Sequence, residues 1–86
     1  SFLFNEYRYN YSNKLIKRVK MNIIVNGEKK EVKDNSTLFM LLEELSLIGK
    51  VMASAVNMDI VKQNSWDQYV LKEGDKVELL DFVGGG

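Results

Sequence analysis

The 86-residue chain has no cysteine, no histidine and no proline. Without cysteine it can form no disulfide and offers no thiol nucleophile. Without cysteine or histidine, the common structural zinc sites and Ser–His triads are also excluded. No apolar run approaches the ~18 residues that a membrane span needs. A net charge of one sign is missing too, since twelve basic residues balance twelve acidic ones. Glycine is scarce in the body of the chain: three of the six glycines are Gly84, Gly85 and Gly86.

What is present suits one small α+β domain with a modest core. The balanced charge is unevenly distributed. Residues 1–20 carry +4 and residues 21–86 carry −4. An acidic domain is a poor match for nucleic acid, because phosphate contacts require clustered lysine and arginine. It suits a basic protein partner instead.

Residues 1–20 read as a basic, aromatic-rich leader. Tyr7, Tyr9 and Tyr11 alternate with polar neighbours as in a strand, whereas Leu15, Ile16 and Val19 are spaced like a helix face. The basic residues follow the apolar ones, which is the wrong order for a secretory signal. The alternation suits strand addition to a sheet edge, so self-association through residues 1–20 is one expectation.

From Met21 the pattern becomes regular. Met21 to Val25 is β-rich, and Asn26-Gly27 is a strong hairpin signal leading to a return strand over Glu28 to Lys33. Asp34, Asn35 and Ser36 form a polar cluster suited to helix capping. Leu38, Leu41, Leu42, Leu45 and Ile48 then trace one helix face, with Gly49 as the expected stop. Ala53 to Asn57 reads as a strand, Met58-Asp59 as a turn, and Ile60-Val61 as a short return. Trp66, Tyr69, Val70 and Leu71 are expected to pack under the sheet. Gly74-Asp75 is a tight turn into a last strand over 76–82. A hairpin, a helix and three further strands, with the helix laid across a mixed sheet, make a β-grasp (ubiquitin-like) arrangement.

The glycine tail follows that last strand directly. Glycine loses more conformational freedom on ordering than any other residue, so a packed domain gains nothing from it. A chain end that threads a narrow channel and presents a bare carboxylate does gain. The expectation is a domain over 21–83, a flexible tail over 84–86, and Gly86 as the reacting residue with Gly85 and Gly84 threading behind it.

Several segments of residues 21–86 resemble the sulfur-carrier family of thiamin biosynthesis (ThiS), a ubiquitin-like branch. They are Met21-Asn22-Ile23-Ile24-Val25-Asn26-Gly27-Glu28, the helix from Ser36-Thr37-Leu38 to Leu45, Ala55-Val56-Asn57 with Ile60-Val61 and Trp66, and Gly74 to Leu79 with Gly85-Gly86. The leader is foreign to that pattern, and Met58-Asp59 departs from its usual turn. The resemblance implies a carrier that is not itself an enzyme and binds no cofactor. An E1-like adenylating enzyme would use MgATP to activate Gly86, a cysteine persulfide would supply sulfur, and thiazole synthase would receive the thiocarboxylate, all in the cytoplasm without a membrane or nucleic-acid partner.

Other candidates carry less. Glu43 and Glu44 are neighbours on a helix, point apart, and read as a solvated face. Asp75 reads as a turn residue and Trp66 as core. If Val77 and Leu79 face the helix, Leu80 and Phe82 lie on the open sheet face, where apolar groups suit a docking patch. The competing functions are a small subunit of molybdopterin synthase, disfavoured by the absence of proline, a ubiquitin-like protein modifier, and a plain interaction module.

Overall fold

The computed structural model describes residues 7–17 and 19–81. Five strands form one sheet: β3 (Lys20–Val25), β4 (Glu28–Lys33), β5 (Val51–Val56), β6 (Asp59–Val61) and β7 (Lys76–Asp81), in the order β4-β3-β7-β5-β6. The last strand lies in the middle. It pairs parallel with β3, placing Ile24 beside Lys76 and Val25 beside Val77, and antiparallel with β5. One helix, α1 (Leu38–Glu44), covers one face of this mixed sheet, which is the β-grasp arrangement that the sequence predicts.

Alternation decides which side chains meet the helix. Met21, Ile23, Val32, Val56 and Val77 point inward and join Leu38, Leu41 and Leu42 in a single core with Val51, Val61, Trp66 and Leu71. Burying each of the three helix leucines contributes about 1.5–3 kcal/mol. Trp66 is buried with its polar edge satisfied, since its indole N–H donates to the Val61 carbonyl at 2.9 Å. Val70 departs from the expected packing. It sits half-exposed, bridging to Thr37, while Leu71 is the buried neighbour.

The helix is shorter than the leucine spacing suggests, and both of its ends lie elsewhere. The N-cap is Thr37, whose Oγ1 accepts from the Met40 N–H at 3.1 Å, while the Met40 sulfur accepts from the Thr37 N–H. Residues 34–36 are already used in a turn, in which the Ser36 N–H donates to the Lys33 carbonyl. The stop is Ser46, not Gly49. Ser46 takes a left-handed φ of 59°, its N–H donates to the Glu43 carbonyl, and the Leu47 N–H reaches back to Leu42. That pair of bonds is a Schellman closure. Ile48 therefore falls beyond the helix and is exposed.

The two hairpin turns have matching geometry. Asn26 and Gly27 have φ of 49° and 85°, and Asn57 and Met58 have φ of 51° and 74°. Both central residues are left-handed, as the right-handed twist of a two-residue hairpin requires. The second turn is thus Asn57-Met58, one residue earlier than the sequence suggests, because Asp59 already pairs with Val56. β5 also begins earlier, at Val51, with a bulge between Val51 and Ala53.

Within residues 7–17, β1 (Tyr7–Tyr9) pairs antiparallel with β2 (Leu15–Lys17). The tyrosine alternation does mark a strand, but it pairs locally in a two-stranded sheet instead of adding to the edge of the larger one. The helix-like spacing of Leu15, Ile16 and Val19 is overridden by this pairing, in which Leu15 lies opposite Tyr9 and Ile16 opposite Arg8. The main sheet starts just before Met21: β3 includes Lys20, and the Val19 carbonyl accepts from the Asp34 N–H at 3.0 Å.

Candidate functional site

β7 is the element that delivers the chain toward its glycines. Its residues divide between two faces. Val77 is fully buried and Leu79 packs against the core, while Glu78 and Leu80 point to the opposite, uncovered face of the sheet. The expected division of the strand therefore holds for Leu80, which is 54% exposed. Phe82, Gly84, Gly85 and Gly86 lie outside the described residues.

Leu80 stands directly across from Ala53, and Ala55 stands across from both Glu78 and Ile60. Two alanines between larger neighbours lower the floor of the sheet. The result is a shallow trough lined by Asn26, Ala53, Ala55, Ile60, Glu78 and Leu80. Ile60 at 72% exposure forms its far wall, and a second depression past Glu78 is edged by Ile24, Lys76 and Met58. Small floor residues with exposed aliphatic walls suit the insertion of a partner's side chain.

The charge around the trough differs from the net charge of the domain. By alternation, Lys20, Lys29, Lys33 and Lys76 share the open face with Glu31 and Glu78. Among the described residues this face is net basic, although residues 21–86 carry −4. Exposed acids such as Glu43, Asp59 and Asp67 lie off it. The expectation of a basic docking partner, drawn from net charge alone, does not fit this face.

Sequence reasoning also missed what holds β7 in place. Two asparagines that read only as turn formers bond to it. Asn26 donates its N–H to the Val77 carbonyl at 2.9 Å, and its Oδ1 accepts from the Leu79 N–H at 2.8 Å. Asn57 accepts at Oδ1 from the Lys76 N–H and donates Nδ2 to Asp75 Oδ1, both at 2.9 Å. The Asp75 Oδ2 accepts from the Lys72 N–H at 2.8 Å, so this buried carboxylate is a turn clamp, as expected. The available signal was the residue type, because an asparagine side chain reproduces the donor and acceptor of a peptide group. Glu43 and Glu44 are exposed, and Glu44 pairs with Lys30 at 3.1 Å. No cluster of carboxylates that could hold a metal occurs among the described residues. No helix among them is long and apolar enough to cross a membrane.

The family model described as the ThiS family matches residues 7–86. The chain belongs to the ThiS family. Sulfur carrier protein ThiS of Escherichia coli is 30% identical over 66 residues, which cover 77% of this chain and 100% of that protein. A crystal structure of thiamine biosynthesis protein ThiS from Geobacter metallireducens superimposes with a TM-score of 0.65 at 31% identity, covering 77% of this chain and 100% of that one. A thiazole synthase from Paramagnetospirillum magneticum is 35% identical over 66 residues, and one from Magnetococcus marinus is 33% identical over the same length. This chain spans only 20% of each of those two synthases. The ThiS match takes in residues 7–20, whereas the pairwise matches extend over 66 residues.

Proposed function

We propose that this chain is a sulfur carrier protein for thiamin biosynthesis, which holds sulfur as a thiocarboxylate on Gly86 and is a co-substrate, not a catalyst. The observation that carries the reading is the match to a sulfur carrier ThiS along that protein's whole length. The central position of β7, with an open apolar trough beside its exposed Leu80, supports it.

The chemistry follows from the carboxylate. With an α-carboxyl pKa of about 3.5 it is ionised at neutral pH and is a poor acyl donor. An E1-like enzyme, using MgATP as its own substrate, converts it to an acyl-adenylate and releases pyrophosphate. The terminal sulfur of a cysteine persulfide attacks the carbonyl, and AMP leaves with the C–O electron pair. A second thiol then cleaves the S–S bond, leaving the thiocarboxylate and a disulfide. Gly84 and Gly85 let the carbonyl reach near-attack distance in a narrow channel. The acceptor is thiazole synthase. Support for that pairing comes from the two thiazole synthases that contain a stretch similar to this chain. The working unit is the β-grasp domain over 21–83 with its tail over 84–86, acting in the cytoplasm.

Intact mass after incubation with MgATP, the adenylating enzyme and a persulfide donor tests this. The carrier gains the mass of one sulfur in place of one oxygen, and the change maps to Gly86. An unchanged mass, or the appearance of larger conjugates in place of that gain, refutes the reading.

A further inference from the structure

Among the described residues, no third strand joins the β1–β2 hairpin. A two-stranded ribbon of short strands is marginal in water unless a third strand or another layer supports it. None of its residues belongs to the hydrophobic core among the described residues. One of its faces carries Tyr9 opposite Leu15 and Tyr7 opposite Lys17. Tyr9 and Leu15 are each at least half exposed, Val19 more so, and Tyr11 at the turn is fully exposed. Residues 7–20 contain five cations and no acid, while residues 21–81 carry −4.

We propose that this face of the hairpin docks on the acidic body of a second copy of the chain, and that the exchange is reciprocal, giving a weak two-fold dimer. Two arrangements close under a two-fold axis. Pairing β1 with β1 of the second copy would continue the ribbon, but it would bring two segments of five cations together. Placing each hairpin against the other copy's body brings cations to acids and covers Tyr9 and Leu15. Charge therefore selects the reciprocal arrangement. Lys14 and Lys17 then lie near exposed carboxylates such as Glu43, Asp59 and Asp67, which the open, lysine-bearing sheet face does not use. That leaves the trough beside Leu80 free in the dimer.

Sedimentation of the full chain over a dilution series, in low and high salt, tests the proposal. The expected result is a concentration-dependent dimer that dissociates as salt shortens the Debye length to a few ångströms, ~3 Å at 1 M. Reversing the charge with Lys14→Glu and Lys17→Glu together should raise the dissociation constant roughly tenfold or more. The far-UV circular dichroism of the body should not change. Zero-length carbodiimide coupling between isotope-labelled and unlabelled copies should join Lys14 or Lys17 of one copy to a carboxylate in residues 21–81 of the other. A monomer throughout the low-salt series overturns the proposal. So does a dimer indifferent to the charge reversal, or one cross-linked only between leaders.

Discussion

The side-chain amide of Asn57 donates to Asp75 Oδ1 at 2.9 Å, tying the β5–β6 turn to the turn that launches β7. The two residues are 18 positions apart in the chain. Their contact is reinforced on both sides: Asn57 bonds to the backbone of Lys76 through its own N–H and through Oδ1, and Asp75 fixes the Lys72 N–H. Where β7 starts determines where Leu80 sits.

Breaking this clamp should therefore cost stability before anything else. Asp75→Ala removes two accepted hydrogen bonds from a buried carboxylate and leaves the Lys72 N–H and the Asn57 amide unpaired. The expected loss is about 2–3 kcal/mol by urea denaturation, with Asp75→Asn retaining part of it. A change below the noise of the melt would mean that the clamp is not a stabilising feature.

Six non-glycine residues among those described occupy left-handed backbone; four are asparagines, which tolerate it, and the other two are Ser46 and Met58. Met58 is 88% exposed at φ 74°, in the position that Gly27 fills in the matching turn. Met58→Gly should raise stability by about 1 kcal/mol, because it relieves steric strain and removes no core contact. Ser46→Gly at the helix end should act in the same direction. Thermal melts of both variants check this, and a lower midpoint for Met58→Gly would contradict it.

Ser54 is buried opposite Leu79, and its hydroxyl has no hydrogen-bond partner among the described residues. Ser54→Ala removes an unsatisfied polar group at nearly constant volume. Stability should stay level or rise by up to about 1 kcal/mol. A clear loss in equilibrium unfolding would show that the hydroxyl does contribute to the fold.

On the open face, Leu80→Ala should weaken association with the adenylating enzyme by about 1–3 kcal/mol if the trough is the docking surface. Its effect on the melt should stay within about 0.5 kcal/mol, as expected for an exposed site. Titration calorimetry and a thermal scan on the same sample separate these outcomes. An unchanged affinity would rule the trough out.

Much of the fold was legible because its signals are local and strong. Asn26-Gly27 announces its own hairpin, and the leucine spacing announces the helix face. The misplaced boundaries lie where tertiary bonding chose among residues of similar local preference. Thr37 caps the helix because Ser36 and its neighbours were already committed to a turn. Ser46 ends the helix although a glycine stands three residues later. Leu15 and Ile16 could be read with either period, and pairing with Tyr9 and Arg8 settled it. The site was legible only in part. Leu80 could be assigned to the open face by alternation, but the two alanines that hollow the trough and the lysines that surround it become neighbours only once the strand order is known.

The middle place of β7 also governs how the molecule assembles. The Leu79 N–H in β7 donates to Asn26 Oδ1, 53 positions earlier in the chain. Before that strand arrives, the β3–β4 hairpin and the β5–β6 hairpin share no hydrogen-bonded seam, and each presents a bare edge. The final strand therefore closes the longest loops in the sheet, an entropic toll that slows folding relative to local pairing. It also means that the halves unite in one cooperative step. A chain stopped short of residue 76 should leave two hairpins without a common sheet, prone to joining edges with their neighbours.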